Sequence, residues 1–178
     1  MKKQIALITL AAVLFVSCKL GNTPEEYIGC TTLNTNLLRD FGARDFNRMQ
    51  SDKNANQLLV PDGNQYVPAK SFVEYNEKMT IADADEHLKK IEDLKVTDET
   101  KDLISNSEDL FTTAKKIYET DYVTICKMMD EGKPQPEIDT AIAQLERKYD
   151  PILQQKFQVL DAVAFPYAAK HGIQLEKN

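Results

Sequence analysis

Tryptophan is missing from the 178 residues, histidine occurs twice, cysteine three times and glycine six times. Two histidines leave no His-Glu-x-x-His zinc helix and no pair of Glu-x-x-His motifs of the kind a carboxylate-bridged di-iron bundle requires. The cysteines contain no Cys-x-x-Cys-His for covalent haem, and the glycines form neither a phosphate-cradling loop nor a Gly-x-Ser-x-Gly elbow. These gaps argue against an enzyme, and no cofactor is expected. The chain is also short of positive charge, with 22 Lys and Arg against 28 Asp and Glu. A surplus of that sign repels phosphates, so no nucleic-acid partner is expected.

What is present first is an address. Lys2 and Lys3 precede an apolar run from Ile5 to Val16 with one threonine, and Ser17-Cys18 follows directly. The run is too short to span a bilayer, which takes ~20 apolar residues, so residues 1–17 are expected to be an export signal removed on maturation. This arrangement resembles the lipobox of bacterial lipoproteins, with Phe15 where that family usually carries Leu. The resemblance implies that Cys18 is acylated and becomes the first mature residue. Several acyl chains anchor firmly where one anchors marginally. Residues 18–23 would then be a short tether to the membrane. Loss of the leader removes two lysines and no acids, which moves the net charge from −6 to about −8.

Residues 24–178 are expected to form one all-α domain, an antiparallel four-helix bundle with one irregular crossover at 51–68. Thr23-Pro24-Glu25-Glu26 marks the first helix, with a hydroxyl to cap, proline at the first position and acids in the first turn. Tyr27, Cys30, Asn34, Leu37 and Phe41 carry its stripe towards Met49, with an interruption near Gly42. Leu58 to Val67 surrounds a Pro61-Asp62-Gly63 turn and reads as either a short hairpin or an unstructured crossover. The second helix covers about Ala69 to Lys95. Its stripe changes phase between Met79 and Ala84, which predicts a bend near Thr80.

Thr97 caps the third helix, Gly132 ends it, and Ser105 to Glu108 offers a restart. Lys133-Pro134-Gln135-Pro136 opens the last helix. Its first seam is Ile138, Ile142, Leu145, Tyr149 and Ile152, with a second strip from Leu153 to Tyr167, so it is expected to be the most deeply buried. Asp150-Pro151 predicts a kink or brief break, and His171-Gly172 a helix end with Ile173 folding back.

Few side chains suggest chemistry. Cys30 and Cys126 either form a disulfide, which in the loop-entropy picture stabilises by about 3–5 kcal/mol, or sit as small buried hydrophobes. Asp83, Asp85, Glu86 and His87 are the only acid and imidazole cluster. Asp83, Glu86 and His87 are the metal candidates, read against an acid-rich face in water. His171 suits the negative end of a helix dipole. Tyr118, Tyr122, Met128 and Met129 lie at helical spacing and are read as core. Asp139-Thr140-Ala141 resembles the O-glycosylation acceptor of Bacteroidota, with Thr140 the acceptor. Lys19-Leu20-Gly21 after the lipobox departs from the acidic surface-export signal of that phylum, which favours the periplasmic face of the outer membrane slightly over the cell surface.

Tyr27-Ile28 and Tyr167 to Ile173 resemble small helical envelope lipoproteins of unknown function from the same phylum. The expected role is a lipid-anchored, non-catalytic binding or scaffolding module for an envelope protein or small ligand. A ligand or metal carrier and an immunity or exclusion lipoprotein are the competing expectations.

Overall fold

Thr23 opens the first helix as its sequence predicts: its hydroxyl accepts the Glu26 amide at 3.2 Å while the Glu26 carboxylate accepts the Thr23 amide at 2.9 Å. This reciprocal cap and the proline behind it start α1 (Pro24–Thr31). The computed structural model describes residues 21–38 and 40–175, so the expected leader and Cys18 lie outside the described residues.

The first helix is interrupted at Gly42 as expected, but its regular part ends earlier. It stops at Thr31, passes through a 3-10 stretch (Leu33–Leu38) and restarts as α2 (Ala43–Asn54). Hydroxyls compete with the helical ladder here, since Thr31 donates back to the Tyr27 carbonyl at 2.7 Å and Thr35 to that of Thr32 at 2.6 Å. Gly42 then turns the chain with φ 88°, a region other residues avoid.

The stretch after α2 is ordered. Asn56 closes α2 in the left-handed region, and Gln57 donates to the Asp52 carbonyl at 2.7 Å. Strand β1 (Leu59–Asp62) then pairs antiparallel with β2 (Gln65–Pro68), Val60 opposite Val67 and Pro61 opposite Tyr66. The two residues between them are Gly63-Asn64, and Gly63 at φ 61° supplies the turn. Leu58 and Val60 are buried and fasten the hairpin to the core, whereas Tyr66 is 65% exposed.

Three long rods follow. α3 consists of Phe72–Tyr75, a π turn at Asn76–Ile81 and Ala82–Glu92; α4 of Lys101–Ile117, a π turn at Tyr118–Tyr122 and Val123–Asp130; α5 is Gln135–Lys170. The π turn of α3 contains Thr80 and accounts for the phase change in its stripe, because one extra residue per turn rotates the buried face. Thr97 caps the turn that leads into α4, accepting the Thr100 amide on its hydroxyl. No restart occurs at Ser105. Gly132 and Gly172 end α4 and α5 at φ 65° and 72°, with Ile173 donating to the Ala168 carbonyl at 2.9 Å.

The expected break at Asp150-Pro151 is absent, and α5 runs through both Pro151 and Pro166. Each proline is on the exposed side, as are Arg147 and Ala162, four residues earlier, so the carbonyl that each proline leaves without an amide faces water. α5 is fully buried along one line, with Ala141, Tyr149, Phe157 and Val163 half-buried beside it. Ile138, Ile142, Leu145, Leu153, Leu160, Ala164 and Tyr167 repeat in steps that keep to the helical period, while Ile152 and Val159 are exposed.

The most enclosed rod is α4, with Leu103, Leu110, Phe111, Ala114, Ile117, Tyr122 and Cys126 buried. It packs on α3 along one side and α5 along the other, and the short links 93–100 and 131–134 make successive rods alternate in direction. α1 lies against α3, α4 and α5, and α2 against α5. The fold is therefore helical with a small two-stranded sheet. Among the described residues no helix is long and apolar enough to cross a membrane.

Candidate functional site

The two π turns face each other in the middle of the rods. Asn76, fully buried in α3, donates its side-chain amide to the Tyr118 carbonyl of α4 at 2.9 Å, and its own Oδ1 has no partner. Beside this contact lies a recess of about 90 Å³, bordered by Asp45 and Arg48 of α2, Tyr75 and Asp83 of α3, and Phe111 and Tyr118 of α4. Ligand pockets usually run to roughly 300–1,000 Å³, so this one suits a few waters or a solute of a few atoms.

A chain of hydrogen bonds fixes its polar wall. The Gly42 amide donates to the Tyr122 hydroxyl at 2.7 Å, and Tyr122 hydrogen-bonds in turn to the Asp45 carboxylate. Asp45 pairs with Arg48, which also donates to Tyr75 Oη at 3.2 Å and Asp52 at 3.3 Å. Burial pushes the Asp45 carboxyl above its usual range against the opposing pull of Arg48. Burial likewise raises the Tyr118 and Tyr122 phenols, so both keep their protons. An acid locked to a guanidinium, beside phenols that hold their protons, is a fixed polar scaffold with no activated nucleophile.

The acid and imidazole cluster disperses. Burial raises the Asp83 carboxyl, which borders the recess, with His87 pulling it back. Glu86 pairs with Lys90 at 2.6 Å, and Asp85 with Lys115 of α4 at 2.6 Å. His87 Nδ1 is 2.6 Å from the Asp83 carbonyl, which can only accept, so this nitrogen carries the proton. Its ring stacks on Phe111 with centroids 5.7 Å apart. Asp83, Glu86 and His87 do not converge, and among the described residues no three His, Cys, Asp or Glu side chains do.

The disulfide expected as one alternative is not formed; Cys30 and Cys126 are not joined. Cys30, half-buried in α1, feels Lys90 and Glu26, while Cys126, fully buried in α4, feels Asp130 and Asp45. Their helices place them in separate surroundings. Burial pushes the Cys126 thiol up to about 12 and raises that of Cys30, so neither is a ready thiolate. Thr140 is exposed in the second turn of α5, with its hydroxyl donating to the Pro136 carbonyl at 2.7 Å. His171 Nε2 meets Glu99 at 2.8 Å across the end of α5. Tyr118 and Tyr122 are core residues, as their spacing predicts, but Met129 is half-buried and reaches a surface groove.

That groove, about 620 Å³ and open to solvent, runs between α2 and α5. Its floor is Phe46, Met129, Ile138 and Ile142. Its rim carries Asn47, Gln50, Ser51, Asn54 and Gln135, side chains that both donate and accept, together with the Asp139 carboxylate. Gln50 already donates to Asn54 at 3.1 Å and Gln135 to Asp139 at 2.8 Å, so the amides are held in place. The sequence reading missed both this groove and the Asp45 network. An acid beside Phe46 and Met49 on one helical face, followed three residues later by Arg48, is the mark that would have drawn attention to the latter. Comparison of the chain with protein-family models, characterised proteins and solved structures finds no match.

Proposed function

We propose that the protein is a lipid-anchored envelope protein, tethered through Cys18 to the periplasmic face of the outer membrane, that acts as a non-catalytic helical binding module. In this reading α3, α4 and α5 form three sides of a four-helix bundle, and the α1–α2 arm forms the fourth. The observation that carries it is the groove between α2 and α5. Its apolar floor and a rim of amides and one hydroxyl, with Asp139 as its acid, offer donors and acceptors side by side, which suits an extended polypeptide segment of an envelope partner better than an anionic metabolite. The Asp45 network supports the same view, because its acid is spent on holding α2 in place.

The test uses the full lipidated chain in cells, with a photo-cross-linking residue at Gln50 or at exposed Lys116. One defined polypeptide adduct at position 50, absent at position 116 and lost when Asn54→Arg fills the rim, is the expected result. Adducts indifferent to Asn54→Arg would overturn the assignment of the groove. Mass spectrometry of mature protein tests the anchor separately, since an unmodified Cys18 thiol would remove it.

The carrier reading draws on one observation, the burial-raised Asp83 carboxyl at the recess. Asp83→Asn should abolish uptake of a small cationic solute if the recess is a site. Equal uptake by parent and variant would exclude it.

A further inference from the structure

We propose that one end of the molecule, made by the entry to α1, the 93–100 link and the close of α5, rests on the bilayer, and that the α2–α5 groove is thereby held away from it. The proposal rests on acylation of Cys18 as read above. Gly21 lies beside Lys95: a β-carbon built on it would be in ordinary contact, 3.8 Å from Lys95 Cδ. The next residue, Asn22, accepts the Lys95 amide at 2.9 Å, and the Tyr27 hydroxyl donates to the Lys95 carbonyl at 2.6 Å. Three residues separate Cys18 from Asn22, and a chain that short spans at most about 14 Å even when fully extended. Wherever the acyl chains enter the membrane, the Lys95 link is within that reach.

The same end gathers the far terminus. Lys170 pairs with Glu99 at 2.8 Å, and the Tyr27 and Tyr167 rings meet edge to face with centroids 6.2 Å apart. At the tip of this link Val96 is 64% exposed with no core to cover it, an apolar side chain suited to the headgroup boundary. α4 leads away from it from Lys101 to Asp130, and 30 helical residues rise about 45 Å. Met129 and Gln135 of the groove stand at the remote end. Phospholipid is the occupant the tether imposes on the near end, and the binding face is displayed outward.

The experiment places p-benzoylphenylalanine at Val96 or at Tyr66, both exposed, in the full lipidated chain in native membranes, and reads lipid adducts by mass spectrometry after irradiation. Adducts at position 96 and none at position 66 are expected. Acylated, membrane-bound protein with no adduct at 96, or with equal adducts at both, would overturn this orientation while leaving the anchor intact. Cys18 found unmodified would overturn both, so the two failures are told apart. Lys101→p-benzoylphenylalanine repeats the measurement at the start of α4 in case the position 96 variant fails to fold, and acylated, membrane-bound, folded protein silent at 101 would then overturn the proposal.

Discussion

Tyr122 serves the fold through its ring and its hydroxyl separately. The ring stacks on Phe46 with centroids 4.4 Å apart and meets Tyr118 edge-on at 4.8 Å. The hydroxyl accepts from Gly42 and bonds to Asp45. Tyr122→Phe therefore keeps the packing and strips two hydrogen bonds, leaving a buried amide unpaired. That omission costs about 1–3 kcal/mol, and the expected result is a lower urea midpoint with an unchanged slope. An unchanged midpoint would mean that water replaces the hydroxyl and that the network does not brace α2. Asn76 poses the opposite case, since its amide is used and its Oδ1 is not. The spacing of both residues marks them only as buried, because a hydrogen bond between helices depends on how two rods meet.

Caps borrowed from distant elements decide where several helices begin. α2 has no side-chain cap of its own; the Glu146 carboxylate of α5 accepts the Ala43 amide at 2.7 Å. α3 has Ser71, and the Asp130 carboxylate at the end of α4 adds acceptors for the Phe72 and Val73 amides at 2.8 and 3.1 Å. Gly42→Ala should be severe, because its backbone conformation costs a residue with a β-carbon about 1–3 kcal/mol and the added carbon would run into the Glu146 side chain. Asp130→Ala should lose about 0.5–2 kcal/mol, the usual worth of a cap, and Asp130→Asn less because one acceptor remains. Thermal unfolding of the three variants beside the parent checks both. If Gly42→Ala unfolds no earlier than Asp130→Asn, the contact with Glu146 is not a constraint. These long-range caps also mark what the sequence could tell. Thr23, Thr97, Gly132 and Gly172 were legible because each acts within its own turn, and the π turn of α3 showed as a phase change in its stripe. The interruption at Gly42 was legible, but the early stop at Thr31 and the unbroken α5 were not. The first depends on the Thr31 and Thr35 hydroxyls bonding back to the ladder, and the second on both prolines facing water.

At the scale of the whole molecule, the close of α5 is clasped to the 93–100 link by an ionic contact. Glu99 accepts from Lys170 and from His171, each at 2.8 Å, and these bonds, that to Lys170 first, hold its carboxyl below the ordinary glutamate range. A carboxyl with a lowered folded value supports the folded arrangement above its unfolded pKa and loses that support as pH falls through the lowered value. The contact is exposed, so its effect is local, on the end of α5 and the Ile173 fold-back, with little change in global stability. Glu99→Gln should shift the amide resonances of His171, Gly172 and Ile173 at neutral pH. Acidification through the carboxylate range should move the parent's resonances towards those of the variant, which itself should not follow that transition. Added salt at neutral pH should act in the same direction, since an exposed pair is screened. Parent and variant with identical resonances at neutral pH would mean that the turn at Gly172 and the packing of Ile173 hold this end unaided. Loosening on acidification and salt, together with loss in Glu99→Gln, would instead make the clasp a condition for holding the close of α5 against the 93–100 link.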